Sequence, residues 1–318
     1  MKTGVAVSRI LSVAALAAVV VGVPTSPAPA SPPSWVAPPG MTKIETSGLH
    51  AGDVVPFLKT SVTAPPPGET TMGVGDGDVS WEEVVVHTDA DGTVQAYGAG
   101  STAPRSPEPD TPSNNPCNDS GNNPWPVNGW VPAGYEWYYK GGSTPGELTT
   151  AQAEDGLKWG VANMKNVNNN CGHGDDVSAD STYLGRRTDN VSLIGGAGNH
   201  QCNGSTDGFN MIVFGTISDG FNAYTCLRWN DAGNIYESDV IYDKGTTSWY
   251  VPGETTCNNT RFSLETISTH ESGHVFGLDH VNETGHPKLT MSEYNEGPCQ
   301  NTEASLGKGD WIGLESIY

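Results

Sequence analysis

Basic residues are scarce in this chain: 15 Lys and Arg stand against 36 Asp and Glu, for a formal charge of −21. No segment carries a basic stripe, so the electrostatic footprint of a nucleic-acid binder is missing. Apolar runs are scarce too. The long one, Ile10 to Val23, follows Lys2 and Arg9 and precedes Ala28-Pro29-Ala30, a small-x-small cleavage site. That order reads as a secretory signal peptide over 1–30. The run is short for a bilayer crossing and prolines follow at once, which argues against an anchor. No later stretch is apolar enough to span a membrane. The expected location is therefore secreted, extracellular. Losing Lys2 and Arg9 with the leader takes the formal charge from −21 to −23. Such acidity suits a soluble exported protein, and calcium held by some carboxylates is a second use for it.

There is no CxxC pair and no cysteine before Cys117, which excludes a zinc ribbon. The six cysteines are Cys117, Cys171, Cys202, Cys226, Cys257 and Cys299. An even number in an exported chain points to three disulfides, although six cysteines allow about 15 pairings. Chain order suggests Cys257 with Cys299 and Cys202 with Cys226, leaving Cys117 for Cys171.

Between residues 31 and 116 lie 13 of the 23 prolines, so extended or irregular chain is expected over much of that stretch. One island in it, "WEEVVVHTDADGTVQAYG" at 81–98, has two β-rich runs around Asp91-Gly92 and reads as a hairpin. "STAPRSPEPDTPSNNP" at 101–116 reads as a linker. The expected organisation is a leader over 1–30, a propeptide or accessory region over 31–117 and a main domain over 118–318.

In the main domain, Thr149 and Gln152 can form a capping box, after which Ala153, Leu157, Val161 and Met164 repeat at helical spacing. Strands are expected at 135–140, 181–188, 208–217, 222–229 and 234–243. Two late helices complete a mixed α+β domain around one sheet.

Three of the eight histidines crowd into "HESGHVFGLDH", His270 to His280. Ser263 can cap a helix on which His270 and His274, four apart, share one face. Gly277 can end that helix and turn the chain so that His280 arrives as a third ligand. Three neutral imidazoles leave zinc one position for water, the layout of a catalytic site. Glu271 is placed to take that water's proton. An isolated HExxH occurs by chance, and helix histidines are often merely structural. The longer pattern HExxHxxGxxH, with five specified positions, favours the metal.

The stretch resembles the zinc signature of the metzincin metalloproteases, and its "GLDH" ending is similar to the matrixin branch. "LTMSEY" supplies Met291 for the methionine turn that metzincins place beneath the metal, as an apolar floor and not a ligand. "LGKGDWIGLESIY" resembles the final matrixin helix, and "NIYESDVIYD" the strand before the active-site helix. The resemblance is specific over 262–291 and at the last helix, weak over 135–243 and absent before Cys117. It is to the secreted bacterial matrixin-like proteases. It implies a metzincin-like zinc protease domain with a mixed twisted sheet, an active-site helix, a Met-turn and a C-terminal helix. It also implies a zinc metalloendopeptidase acting on protein or peptide substrates. A peptide would pair along the sheet edge at 222–229. No nucleic acid or membrane partner is expected after leader removal, and the working unit is expected to be a monomer.

The chain also departs from the family. Matrixins that stay latent through a propeptide cysteine have no counterpart here, because residues 31–116 contain no cysteine. Tyr294 lies three residues after Met291, where metzincins that use a tyrosine place it two after, so no catalytic role is expected of it. Asp175, Asp176, Asp180 and Asp189 are candidates for structural calcium without EF-hand spacing, and His173 and His200 match a second zinc site only loosely. The competing reading is a non-catalytic secreted binding protein on a metzincin scaffold. The presence of Glu271 counts against it. A zinc hydrolase acting on a non-peptide substrate is disfavoured by the third histidine and Met291.

Overall fold

A computed structural model describes residues 35–101, 115–131, 134–195, 201–218 and 220–318. The expected leader over 1–30, most of the expected linker and His200 lie outside the described residues.

Six strands come first: β1 (Thr42–Ile44), β2 (Val54–Phe57), β3 (Thr60–Thr63), β4 (Glu69–Asp76), β5 (Trp81–Thr88) and β6 (Val94–Ser101). Then follow β7 (Tyr135–Tyr139), helix α1 (Thr150–Lys165), β8 (Ser181–Arg186), β9 (Gln201–Cys202), β10 (Asn210–Gly215), β11 (Ala223–Asn230) and β12 (Ile235–Asp243). Short β13 (Ser248–Tyr250) and β14 (Arg261–Ser263) lead into α2 (Leu264–Val275), and α3 (Lys308–Ile317) closes the chain.

Nine strands form one mixed sheet in the order β1-β6-β5-β4-β11-β12-β10-β7-β8. Strands β8, β7, β10 and β12 run parallel, while β11, β4, β5, β6 and β1 alternate in direction. Over 54–101, within the stretch expected to be extended or irregular, the chain is mostly strand, and the hairpin expected at 81–98 is β5 paired antiparallel with β6. Pro65-Pro66-Pro67 lie ahead of β4, where a missing N–H breaks no ladder, and Pro56 lies in short β2. Strand β11 is not an edge, contrary to the expectation for 222–229. Strand β4 pairs with it over its full length, from Ala223↔Asp76 to Asn230↔Glu69.

Both faces of the sheet are covered, which is why β4, β5, β11 and β12 are buried on consecutive residues. On one face Leu157, Val161, Met164, Ile267 and Val275 from α1 and α2 pack on Leu227, Trp229, Val240 and Tyr242. On the other, Val55 and Val62 of β2 and β3 pack with Val84, Val86, Tyr224 and Cys226. The disulfides are Cys117–Cys171, Cys202–Cys226 and Cys257–Cys299. Among the described residues no helix is long and apolar enough to cross a membrane.

Helix α1 starts at the capping box: Gln152 N donates to Thr149 Oγ1 at 3.2 Å and Thr149 N to Gln152 Oε1 at 2.9 Å. It crosses α2 closely, because a Cβ on Gly160 would lie 2.4 Å from Ser268 Cβ and 2.5 Å from its carbonyl carbon. Neither atom can yield without moving α2. Gly160→Val is therefore expected to cost about 1–3 kcal/mol through overpacking, read as a lower denaturation midpoint. Gly146→Ala, at a glycine with nothing within 4 Å of the added Cβ, should leave the midpoint unchanged.

Candidate metal and catalytic site

Helix α2 begins where Ser263 Oγ accepts from Thr266 N at 3.2 Å, with Glu265 in its first turn. It lies buried between α1 and the sheet, so the face carrying His270 and His274 looks onto β11 and β4. The helix stops because Gly277 takes φ +99°, letting Leu278 N donate to Gly273 O at 2.9 Å. The reversed chain brings His280 back to the other two histidines. Ring centroids are 4.9, 5.3 and 4.6 Å apart for the pairs 270–274, 270–280 and 274–280.

Backbone carbonyls fix two of these rings. His270 Nδ1 sits 2.6 Å from Thr290 O, and His274 Nδ1 2.9 Å from Leu278 O. A carbonyl only accepts, so both Nδ1 atoms carry the proton and both Nε2 atoms present lone pairs. Burial lowers the proton affinity of His274, and lowers His280 to about 4, so these imidazoles are neutral at physiological pH.

Glu271 points from α2 toward β11. Thr225 Oγ1 donates to its Oε2 at 2.5 Å, while its buried Oε1 has no hydrogen-bond partner. Burial, then the neighbouring charge of Asp76, raises the Glu271 carboxyl well above the usual range.

Beneath the histidines, the Met291 thioether lies against Gly273, where an added Cβ would come 2.1 Å from its sulfur. That turn is pinned by Asp310 of α3, which accepts from Thr290 N at 3.0 Å, Met291 N at 3.1 Å and Gly307 N at 2.8 Å. Asn123 steadies the strand of chain holding His280: its side chain donates to Asp279 Oδ2 at 2.7 Å and to His280 O at 3.1 Å.

Sequence reasoning missed the fourth member of this group. Asp76, the last residue of β4, is fully buried with its carboxylate in front of all three histidines. Its oxygens lie 2.7 Å from His280 Nε2, 3.4 Å from His274 Nε2 and 3.7 Å from His270 Nε2. Close as these are, neither oxygen has a donor in hydrogen-bonding geometry, and His274 Nε2 is likewise unpartnered. Burial disfavours the Asp76 charge, but the facing histidines outweigh it and hold the carboxyl well below its usual range. Other buried aspartates are treated differently. Asp239 accepts from the N–H groups of Ser192, Leu193 and Met211, and Asp243 from those of Ile217, Gly245, Thr246 and Thr247. Among the described residues the Asp76 carboxylate accepts from no backbone amide. Four side chains therefore aim lone pairs at one point, with ligand atoms within 4.8 Å of one another. A divalent cation fits that set, and its three nitrogens suit a transition metal better than calcium or magnesium.

A second group that could hold an ion, Glu83, Asp279 and His280, adjoins the first. Burial raises both carboxyls there, Asp279 to about 7. The remaining candidates lie apart from these groups. His173 stacks on Trp311 with centroids 4.8 Å apart, Asp180 pairs with Lys165 at 2.9 Å, and Asp189 with Arg187 at 2.7 Å. Asp175 and Asp176 are exposed, and Tyr294 is buried. The Cys257–Cys299 bridge ties the segment before α2 to the segment after Met291, and Cys202–Cys226 ties β9 to β11.

Comparison with known proteins bears on the second half of the chain. The family model described as Matrixin matches residues 217–318, from just before β11 through α3, and leaves Asp76 outside the match. No individual curated protein matches alongside it. The match takes in Glu271, the three histidines and Met291, and it supports a matrixin-like metallopeptidase domain over that part of the chain.

Proposed function

We propose that the protein is a secreted zinc-dependent endopeptidase in which His270, His274 and His280 hold the metal and Glu271 moves the proton. The observation carrying this reading is the convergence of three imidazoles beside a carboxylate whose Oε1 is unpartnered. Zinc at this point supplies Lewis-acid polarisation of a scissile carbonyl and acidification of water. The rest is done by the chain. Thr225 ties one oxygen of Glu271, leaving the other to accept a proton from the attacking water and return it to the leaving amine. The His270 and His274 rings cannot rotate away while Thr290 O and Leu278 O hold their Nδ1–H groups. Met291 floors the site without offering a ligand on the histidine side. The leader and the three disulfides suit an extracellular setting.

One observation favours the binding-protein reading. Asp76 offers a fourth protein ligand, and four protein ligands are the mark of a closed structural metal site.

Metal analysis and casein cleavage test the proposal. Wild type and Glu271→Ala should each hold about one zinc per chain, and His274→Ala about a tenth of that or less. Whatever cleavage the chain shows should fall roughly 10²–10⁴-fold in Glu271→Ala with its zinc retained. Equal cleavage with and without Glu271 would sink the mechanism.

A further inference from the structure

The zinc endopeptidase reading leaves a conflict, because the strand that a peptide should pair with already has a partner. Strand β4 lies antiparallel along the whole of β11, and its last residue is Asp76. Past that point the chain is gripped from both sides. Asn222 N donates to Asp76 O at 2.6 Å, and Asn295 N donates to Gly77 O at 3.3 Å. Asn222 immediately precedes β11 and Asn295 follows the Met291 turn, so the Asp76–Gly77 peptide runs between the two walls flanking the histidines. The chain then turns back into β5, where Trp81 meets the His280 ring edge-on with centroids 5.1 Å apart.

The sequence of β4 is fitted to this track. Side chains at Met72 and Val74 join the core on the helix side, in line with Asp76. Glycine occupies the alternate positions. A Cβ on Gly73 would lie 2.3 Å from Tyr224 Oη, one on Gly75 2.8 Å from the Phe221 ring, and one on Gly77 2.7 Å from Gly220 O. Only a glycine strand can lie this close.

Nothing covalent fixes the segment to the rest of the protein except the chain that follows it. Residues 35–101 contain no cysteine, and all six cysteines pair among themselves at 117 and beyond. The described hold is a β ladder with side-chain bonds such as Arg228 Nε to Thr71 Oγ1 at 3.0 Å and Tyr236 Oη to Glu69 Oε2 at 2.6 Å.

We propose that the segment 69–80 is a built-in peptide ligand of the cleft, with Asp76 as fourth metal ligand, and that it holds the enzyme latent until it leaves β11. This rests on the zinc endopeptidase reading. Latency is thereby supplied by a carboxylate on a paired strand, in a chain whose amino-terminal region has no cysteine to offer.

Cobalt substitution and cleavage assays on the full secreted chain test it together. In the cobalt-loaded protein, Asp76→Ala should change the visible d–d spectrum, as loss of a protein ligand requires. In the zinc-loaded protein the same change should raise casein cleavage roughly 100-fold or more, the scale a tethered ligand at millimolar effective concentration imposes. Adding Glu271→Ala should abolish that gain. Gly75→Val, which unseats the strand against Phe221 without removing the carboxylate, should also raise cleavage. A peptide spanning 69–81 should inhibit the Asp76→Ala chain, and its own Asp76→Ala version should not. An unchanged cobalt spectrum together with Glu271-dependent cleavage already present in wild type overturns the inference and leaves the endopeptidase standing. A changed spectrum with no Glu271-dependent cleavage in any variant overturns the endopeptidase, and the inhibitory role with it.

Discussion

Two carboxylates, Asp76 and Glu271, are fully buried within reach of three histidines, and the site depends on what compensates them. A buried charge without a partner is among the costliest features a fold can carry. Among the described residues the Asp76 carboxylate receives no backbone donor, and the Glu271 carboxylate receives only the Thr225 hydroxyl, on one oxygen. Imidazoles that stand in no donor geometry to the Asp76 carboxylate cannot complete its solvation. A dication at the point where the lone pairs meet can, and it would satisfy His274 Nε2 and both Asp76 oxygens at once. The same unbalanced polarity would otherwise destabilise the packing of α2 against the sheet.

The surrounding structure serves to hold that arrangement rigid. Gly277 ends α2 in a conformation few other residues accept, and this sets the position of His280. Asp310 reaches from α3 to take two amides of the Met291 turn, those of Thr290 and Met291, so the last helix of the chain fixes the carbonyl of Thr290 that orients His270. A substitution at Asp310 can thus disturb the His270 ring, about 40 residues earlier in sequence. This coupling through backbone hydrogen bonds explains why a helix that touches no ligand belongs to the site.

Much of the site was legible because it is local. His270, Glu271, His274 and His280 fall within eleven residues, and helical geometry with a glycine stop is enough to bring them together. The capping box of α1 and the strands of the second half were readable for the same reason, since periodicity is a near-neighbour property. Asp76 was not, because only the pairing of β4 with β11 carries it to the histidines, and register across distant strands leaves no mark in one sequence. Over 54–101 the hairpin at 81–98 was legible, but proline content did not reveal the other strands: Pro65-Pro66-Pro67 sit between β3 and β4, and Pro56 lies in short β2. A usable signal was present in "GVGDGD": glycines at alternate positions of a β-like run mark a close approach to another backbone.

Under the proposed endopeptidase reading, a strand is a suitable inhibitor of an enzyme that takes strands. Backbone pairing along β11 gives affinity that depends little on side chains, so one ladder can hold either β4 or a substrate. What must differ is the reacting position. In the proposed enzyme a substrate would bring a peptide carbonyl toward the three histidines, whereas β4 brings the Asp76 carboxylate and then turns away at Gly77 into β5. A carboxylate has no leaving amine, so in the proposed mechanism Glu271 would have nothing to protonate. Placing the inhibitor in the same chain raises its local concentration, and the absence of any disulfide to it keeps its departure a matter of one broken peptide link and a released ladder. The pairing of all six cysteines at 117 and beyond then has a consequence for the proposed latency: it staples the part that would stay folded and leaves unstapled the part that would leave.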